Sequence, residues 1–180
     1  MCIRDSSVGA RIEHPQKLID KAQYGAFAGH PKLGAADYKL SCHGLHQRGA
    51  YTFCMCPGGT VVAAASEKGG VIVNGMSTLA RDGENANSAL LVGIDPVDFP
   101  SEHPLAGMYY QREIEQNAFA LGGGDYRAPA QLVGDFLADR ESRALGNVQP
   151  TCPTGVTLTN LRYCLPDKVR TTMQAAITEM

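Results

Sequence analysis

The sequence predicts an α+β fold, a mixed and largely antiparallel sheet with helices packed on it, and three observations carry that prediction. Three apolar runs at 51–56, 60–66 and 70–74 are separated by short connections containing glycine, the pattern of an antiparallel meander over 51–74. The run Ser88-Ala-Leu-Leu-Val-Gly-Ile94 is continuously apolar and reads as a buried strand. Residues 105–121 and the stretch after Pro166 have helical periodicity.

Taken in order, residues 10–14 form a short strand closed by Pro15, which opens a helical segment from Gln16 to Gln23. Residues 25–36, with Pro31 and three glycines, read as loop, 37–42 as an alternating strand, and 42–49 as a polar connection. Within the meander, period two puts Cys54 and Cys56 on one face and Phe53 and Met55 on the other. Asn74-Gly-Met-Ser77 reads as an irregular corner and 78–87 as a polar loop. The 105–121 helix points Tyr110, Ile114, Ala118 and Leu121 inward and Arg112, Glu113 and Glu115 outward, and the glycines 122–124 stop it. Pro129 opens a further helix with Ala130, Val133, Phe136 and Leu137 inward, and 143–155 is irregular. In the last helix Val169, Met173, Ala176 and Ile177 line one face.

The 180 residues are the size of one domain, and a 44% hydrophobic content with a formal net charge of −2 fits an ordinary soluble protein. No basic patch of the kind nucleic acid requires is present, and no apolar run is long enough to cross a bilayer, so neither partner is expected. Residues 1–6, Met-Cys-Ile-Arg-Asp-Ser, resemble translated sequencing-adapter sequence and are expected to be non-native, leaving 7–180 as the folding unit. The remaining cysteines, Cys42, Cys54, Cys56, Cys152 and Cys164, are odd in number and irregular in spacing. Without a secretion signal that argues for free thiols in a reducing cytoplasm.

Candidate chemistry is thin. Cys54 and Cys56 flank a Pro57-Gly58-Gly59 corner whose missing side chains let a backbone or a flat ligand approach closely. Two packed thiols are the more ordinary reading of the pair, and Cys56, at the turn, is the better reactive candidate. Glu13-His14 at a strand end could do acid–base work. Arg81, Asp82, Asn85, Asn87 and Ser88 form a dense polar stretch that serves either as loop structure or as a contact to substrate or to another domain. Cys42, His43, His46, Cys54 and Cys56 include zinc-compatible ligands but lack paired C-x-x-C knuckles, so no metal centre is expected, and a zinc module on Cys42, His46 and Cys54 stands only as an alternative. Neither a dinucleotide fingerprint, nor a P-loop, nor a G-x-S-x-G elbow occurs.

Arg11-Ile-Glu-His-Pro-Gln16, Thr52-Phe-Cys-Met-Cys-Pro-Gly-Gly59, Asn74-Gly-Met-Ser77, Asn85-Ala-Asn-Ser-Ala-Leu-Leu-Val92 and Ala128-Pro-Ala-Gln-Leu-Val-Gly-Asp-Phe-Leu137 occur in one order. In that order they resemble a family of bacterial FAD-dependent dehydrogenases, NAD(P)/FAD-type flavoproteins with a glutathione-reductase-like nucleotide-binding domain. The resemblance implies a cofactor, FAD, held by Gly-rich segments that this sequence does not contain. It therefore implies an interior portion of the flavoprotein, its substrate-side or inserted domain, working with an FAD-binding domain of the same parent chain on a small-molecule substrate. Under that resemblance Pro57, Gly58, Gly59, Asn74, Gly75, Met76 and Ser77 are the candidate flavin or substrate face, and the residues alone are not expected to hold FAD. The rival reading is a non-catalytic binding or interaction domain carried on a flavoprotein scaffold.

Overall fold

A computed structural model describes residues 6–45 and 48–180. Its centre is a four-stranded sheet in the order β1-β6-β3-β2, built from β1 (Ser6–Pro15), β2 (Ser41–Leu45), β3 (Arg48–Cys56) and β6 (Asn85–Ile94). Every pairing in it is antiparallel. The fold class is α+β, as the sequence predicts. The apolar run at 88–94 becomes the last seven residues of β6, flanked on both sides by strands.

The meander, by contrast, does not form. β4 (Gly59–Ala63) pairs with β5 (Val73–Ser77) in a separate two-stranded sheet, Gly59 opposite Ser77 and Ala63 opposite Val73. The reason is geometric: β2 and β6 already occupy both edges of β3, so β4 cannot join it. Pro57 brings no N–H to a ladder, and Gly58, at φ 50°, turns the chain out of the sheet. Asn74–Ser77 is accordingly strand, not an irregular corner, and β6 begins three residues before the apolar run, at Asn85.

One face of the main sheet is covered by α4 (Asp167–Glu179). Val169, Met173 and Ala176, 1%, 2% and 0% exposed, pack with Leu90, Val92, Ile94 and Ala50, and with Val8, Ala10 and Ile12. That is the stripe the periodicity assigns. α1 (Gln16–Tyr24) follows Pro15, which stands at its N-cap with extended backbone. α2 (Ala106–Gly122) ends at Gly123, in the left-handed conformation at φ 109°.

Two expectations around α2 change. Glu115 is buried rather than outward; Gln111 donates to its carboxylate at 2.7 Å and its carbonyl accepts from the Val71 backbone. Pro129 lies in a strand, β7 (Ala128–Ala130), parallel to β8 (Val156–Leu158). Its ring costs little there, because a strand of three residues needs few donors. The helix opens later, as the short α3 (Val133–Leu137), and buries Phe136 while Val133 and Leu137 stay exposed.

Candidate functional site

The polar centre of the domain lies where the β4–β5 hairpin meets one end of the sheet, and a bulge creates it. Phe53 pairs with Ala89 and Cys56 with Asn87, so Cys54 and Met55 together oppose Ser88. Cys54 takes φ 45° to accommodate the extra residue. The bulge overturns the simple alternation of the thiols: Phe53 and Cys56 face one side, Cys56 is buried and Cys54 is exposed.

The carbonyl freed at the bulge is captured by Arg11 on β1. Its Nη1 and Nη2 each donate to Cys54 O at 3.2 Å. Nη2 also donates to Asn74 Oδ1 at 3.1 Å, and Nη1 to Asn87 Oδ1. One guanidinium thus ties β1, β3, β5 and β6 together. Gly75 lies directly over it, and a Cβ there would stand 2.2 Å from Nη1. Every partner is a neutral oxygen, and among the described residues no carboxylate stands within ion-pair distance of Arg11. Arg48, by comparison, is 2.7 Å from Asp98. Asn87 is wholly buried and its Nδ2 has no acceptor among the described residues. Exposed Phe53, Cys54 and Asn74 rim this centre, whereas Met76, next to Gly75 in β5, is exposed on the other face of the hairpin. Composition gives no hint of Arg11, but alternation does: Gly9, Arg11 and Glu13 share one face of a strand whose other face is Val8, Ala10 and Ile12.

The Pro57-Gly58-Gly59 corner is buried beside this centre. Gly58 N donates to Gln16 Oε1 at 2.7 Å, Gly58 O accepts from Gly83 N, and Ser77 Oγ donates to Pro57 O at 2.8 Å. A Cβ on Gly58 would lie 2.0 Å from Arg81 O. The close approach that the glycines permit is made by the chain's own backbone. Arg81 and Asp82 are exposed, with Arg81 at φ 52°, whereas Asn85 and Asn87 are buried. The polar stretch is therefore split between a surface turn and the start of β6.

Glu13 faces the segment 143–155. Its carboxylate accepts from the Thr151 backbone at 3.2 Å and from the Thr151 hydroxyl, which in turn accepts from Val61 N. Asn85 Nδ2 donates to Gln149 O at 2.8 Å. Glu13 is thus a structural anchor and not a partner of His14. His14 points to the opposite face, where Nε2 hydrogen-bonds Tyr38 Oη at 2.8 Å and Nδ1 is buried without a partner among the described residues. Burial, chiefly, holds the His14 pKa below its ordinary value, and burial likewise raises that of Tyr38. The unfolded chain takes up this proton first as pH falls, so the stability His14 contributes is complete above its ordinary pKa and is lost as pH falls through the lower folded value. In urea titrations, stability should decline between pH 7 and 5 in the native sequence and decline less in His14→Gln. Equal slopes would refute a buried, neutral His14.

No three His, Cys, Asp or Glu side chains converge as a metal site among the described residues. His46 of the zinc alternative lies outside those residues, and Cys42 donates to Glu179 at 3.0 Å instead. That hydrogen bond raises the Cys42 pKa, and burial pushes the Cys164 thiol up to about 11. A thiol reagent should therefore modify Cys54 first and Cys164 last among these cysteines, as read by peptide mapping at increasing times. Labelling of Cys56 ahead of Cys54 would contradict the bulge.

The fold defines an α+β domain, and the family follows from comparison. The family model for FAD-dependent protein, C-terminal domain-like, matches residues 5–180, and the chain belongs to that family. A Clostridium beijerinckii protein, described as an uncharacterized protein, is 56% identical over 164 residues, covering 91% of this chain and 31% of that one. The chain thus spans less than a third of the length of this relative. No helix of the described residues is long and apolar enough to cross a membrane.

The residues fit the family's cofactor only in part. The Gly58 corner has no room for a ring, being filled by residues 81–83. The rim made by Phe53, Cys54 and Asn74 is exposed and sets an aromatic ring beside a polar edge.

Proposed function

We propose that this domain forms one wall of the flavin pocket in an FAD-dependent oxidoreductase of the dehydrogenase type, shaping the site and excluding water. The observation that carries this reading is the half-buried Arg11, whose partners are all neutral, on the sheet face that also carries the exposed ring of Phe53. FAD, when bound by the whole protein, supplies hydride chemistry. This chain's part is to hold a positive charge at the edge of the pocket and to present Phe53 and Asn74 to it. The FAD-binding domain that partners it belongs to the remainder of the parent protein, and the small-molecule substrate is met on this domain's side of the flavin. The free thiols favour a reducing, cytoplasmic setting.

The test is the flavin reduction potential of the full-length protein. Arg11→Gln is expected to lower it by about 30 mV, since the negative charge of reduced flavin loses a neighbouring cation. Arg11→Lys should restore most of that shift even where the clamp on Cys54 loosens. An unchanged potential in Arg11→Gln, with FAD fully retained, would sink the reading.

A further inference from the structure

The two edges of the main sheet differ. At one, β2 is five residues long, its register with β3 shifts between Cys42 and Leu45, and Gly44 takes φ 81°. Short length, irregular register and a kink are the usual defences of a free edge. At the other, β1 runs for ten residues in unbroken register with β6, from Ser6 opposite Ile94 to Pro15 opposite Asn85. Nothing in β1 blocks pairing: it has no bulge, no lysine and no proline before Pro15. Its two charged side chains do not guard the edge either, because Arg11 is drawn to Cys54 and Asn87, and Glu13 to Thr151. Among the described residues its outward N–H and C=O groups have no backbone partner.

We propose that the outer edge of β1 is a docking seam, at which a strand from the remainder of the parent protein joins as a fifth strand of this sheet. The inference rests on the reading above, that the domain works inside a longer flavoprotein. Two further observations choose the occupant. The relative at 56% identity devotes only 31% of its length to this region, so most of such a chain is available to supply a strand. A strand tethered to β1 by the same chain also meets the edge at the high effective concentration of an intramolecular partner, which a second copy does not. The side chains of β1 are already half-buried on both faces, so main-chain hydrogen bonding is what the edge has left to offer.

Residue-resolved amide hydrogen exchange on the full-length protein tests this without any substitution. Pairing with β6 alone protects every second amide between Ser7 and His14. A fifth strand protects the alternate set too, and slowing of that set by at least about 100-fold over free-chain rates is expected. Persistence of the one-in-two pattern overturns the proposal. So does protection of the alternate set that disappears on dilution together with a doubled sedimentation mass, which assigns the seam to a second copy. Flavin absorbance of the same sample reports on the functional reading independently: a yellow protein with an open β1 edge fails only this inference, and a colourless protein with a closed edge fails only the other.

Discussion

Gly58→Ala is expected to destabilise the domain by about 3 kcal/mol or more, because two costs fall on one position. The first is conformational: at φ 50° an alanine pays roughly 1–2 kcal/mol that glycine does not. The second is space. The new methyl group would stand 2.0 Å from Arg81 O and 2.2 Å from Arg81 C, both backbone atoms that no rotamer change can move. Relief requires shifting residues 81–83, which endangers the bond from Gly83 N to Gly58 O and that from Gly58 N to Gln16 Oε1. Orphaning either buried group costs about 1–3 kcal/mol. Gly69→Ala separates the two costs: its φ is 77°, but a Cβ there meets nothing within 4 Å. Urea midpoints should show a loss at Gly69 of no more than the conformational cost and a clearly larger loss at Gly58. Equal losses would show that the corner is not held against its own backbone.

Met173→Ala should cost about 3 kcal/mol, within the usual range for truncating a buried methionine. Met173 is 2% exposed at the centre of α4 and packs in the core with Leu90 and Val92. Since α4 is the sole helix of the described residues that spans β1, β2, β3 and β6, a cavity beneath it weakens the contact that fastens it to the sheet. For a domain of this size the melting temperature should fall by about 6–12 °C. Met173→Leu, which nearly conserves volume, should cost less than about 1.5 kcal/mol. A Met173→Ala protein that melts with the native one would mean that α4 does not cap the core.

The features legible in the sequence are those whose cause is local. The α4 stripe, the apolar β6 run and the glycine stop after α2 each follow from spacing or conformational freedom within a few residues. Strand partnership is not local. The runs at 51–56 and 60–66 look like neighbours because they are adjacent in the chain, yet β3 is claimed by β6, whose residues lie more than thirty positions further on. Helical periodicity likewise misplaces Glu115, since Gln111 and the loop before β5 close over it. The candidate site divides in the same way. Asn74 and the glycine corner are visible as a motif, whereas the bulge that exposes Cys54, and Arg11 that answers it, arise only when β1, β3, β5 and β6 assemble.

The covering of the main sheet by α4 has a consequence for how the protein is made. Strands β1, β3 and β6 are complete once the ribosome has passed Ile94, but α4 begins only at Asp167. At about 5–20 residues per second, the apolar face of Val8, Ala10, Leu90 and Val92 waits several seconds on a nascent chain before its cover emerges. During that interval it is apolar surface open to other chains, the condition under which nascent chains aggregate.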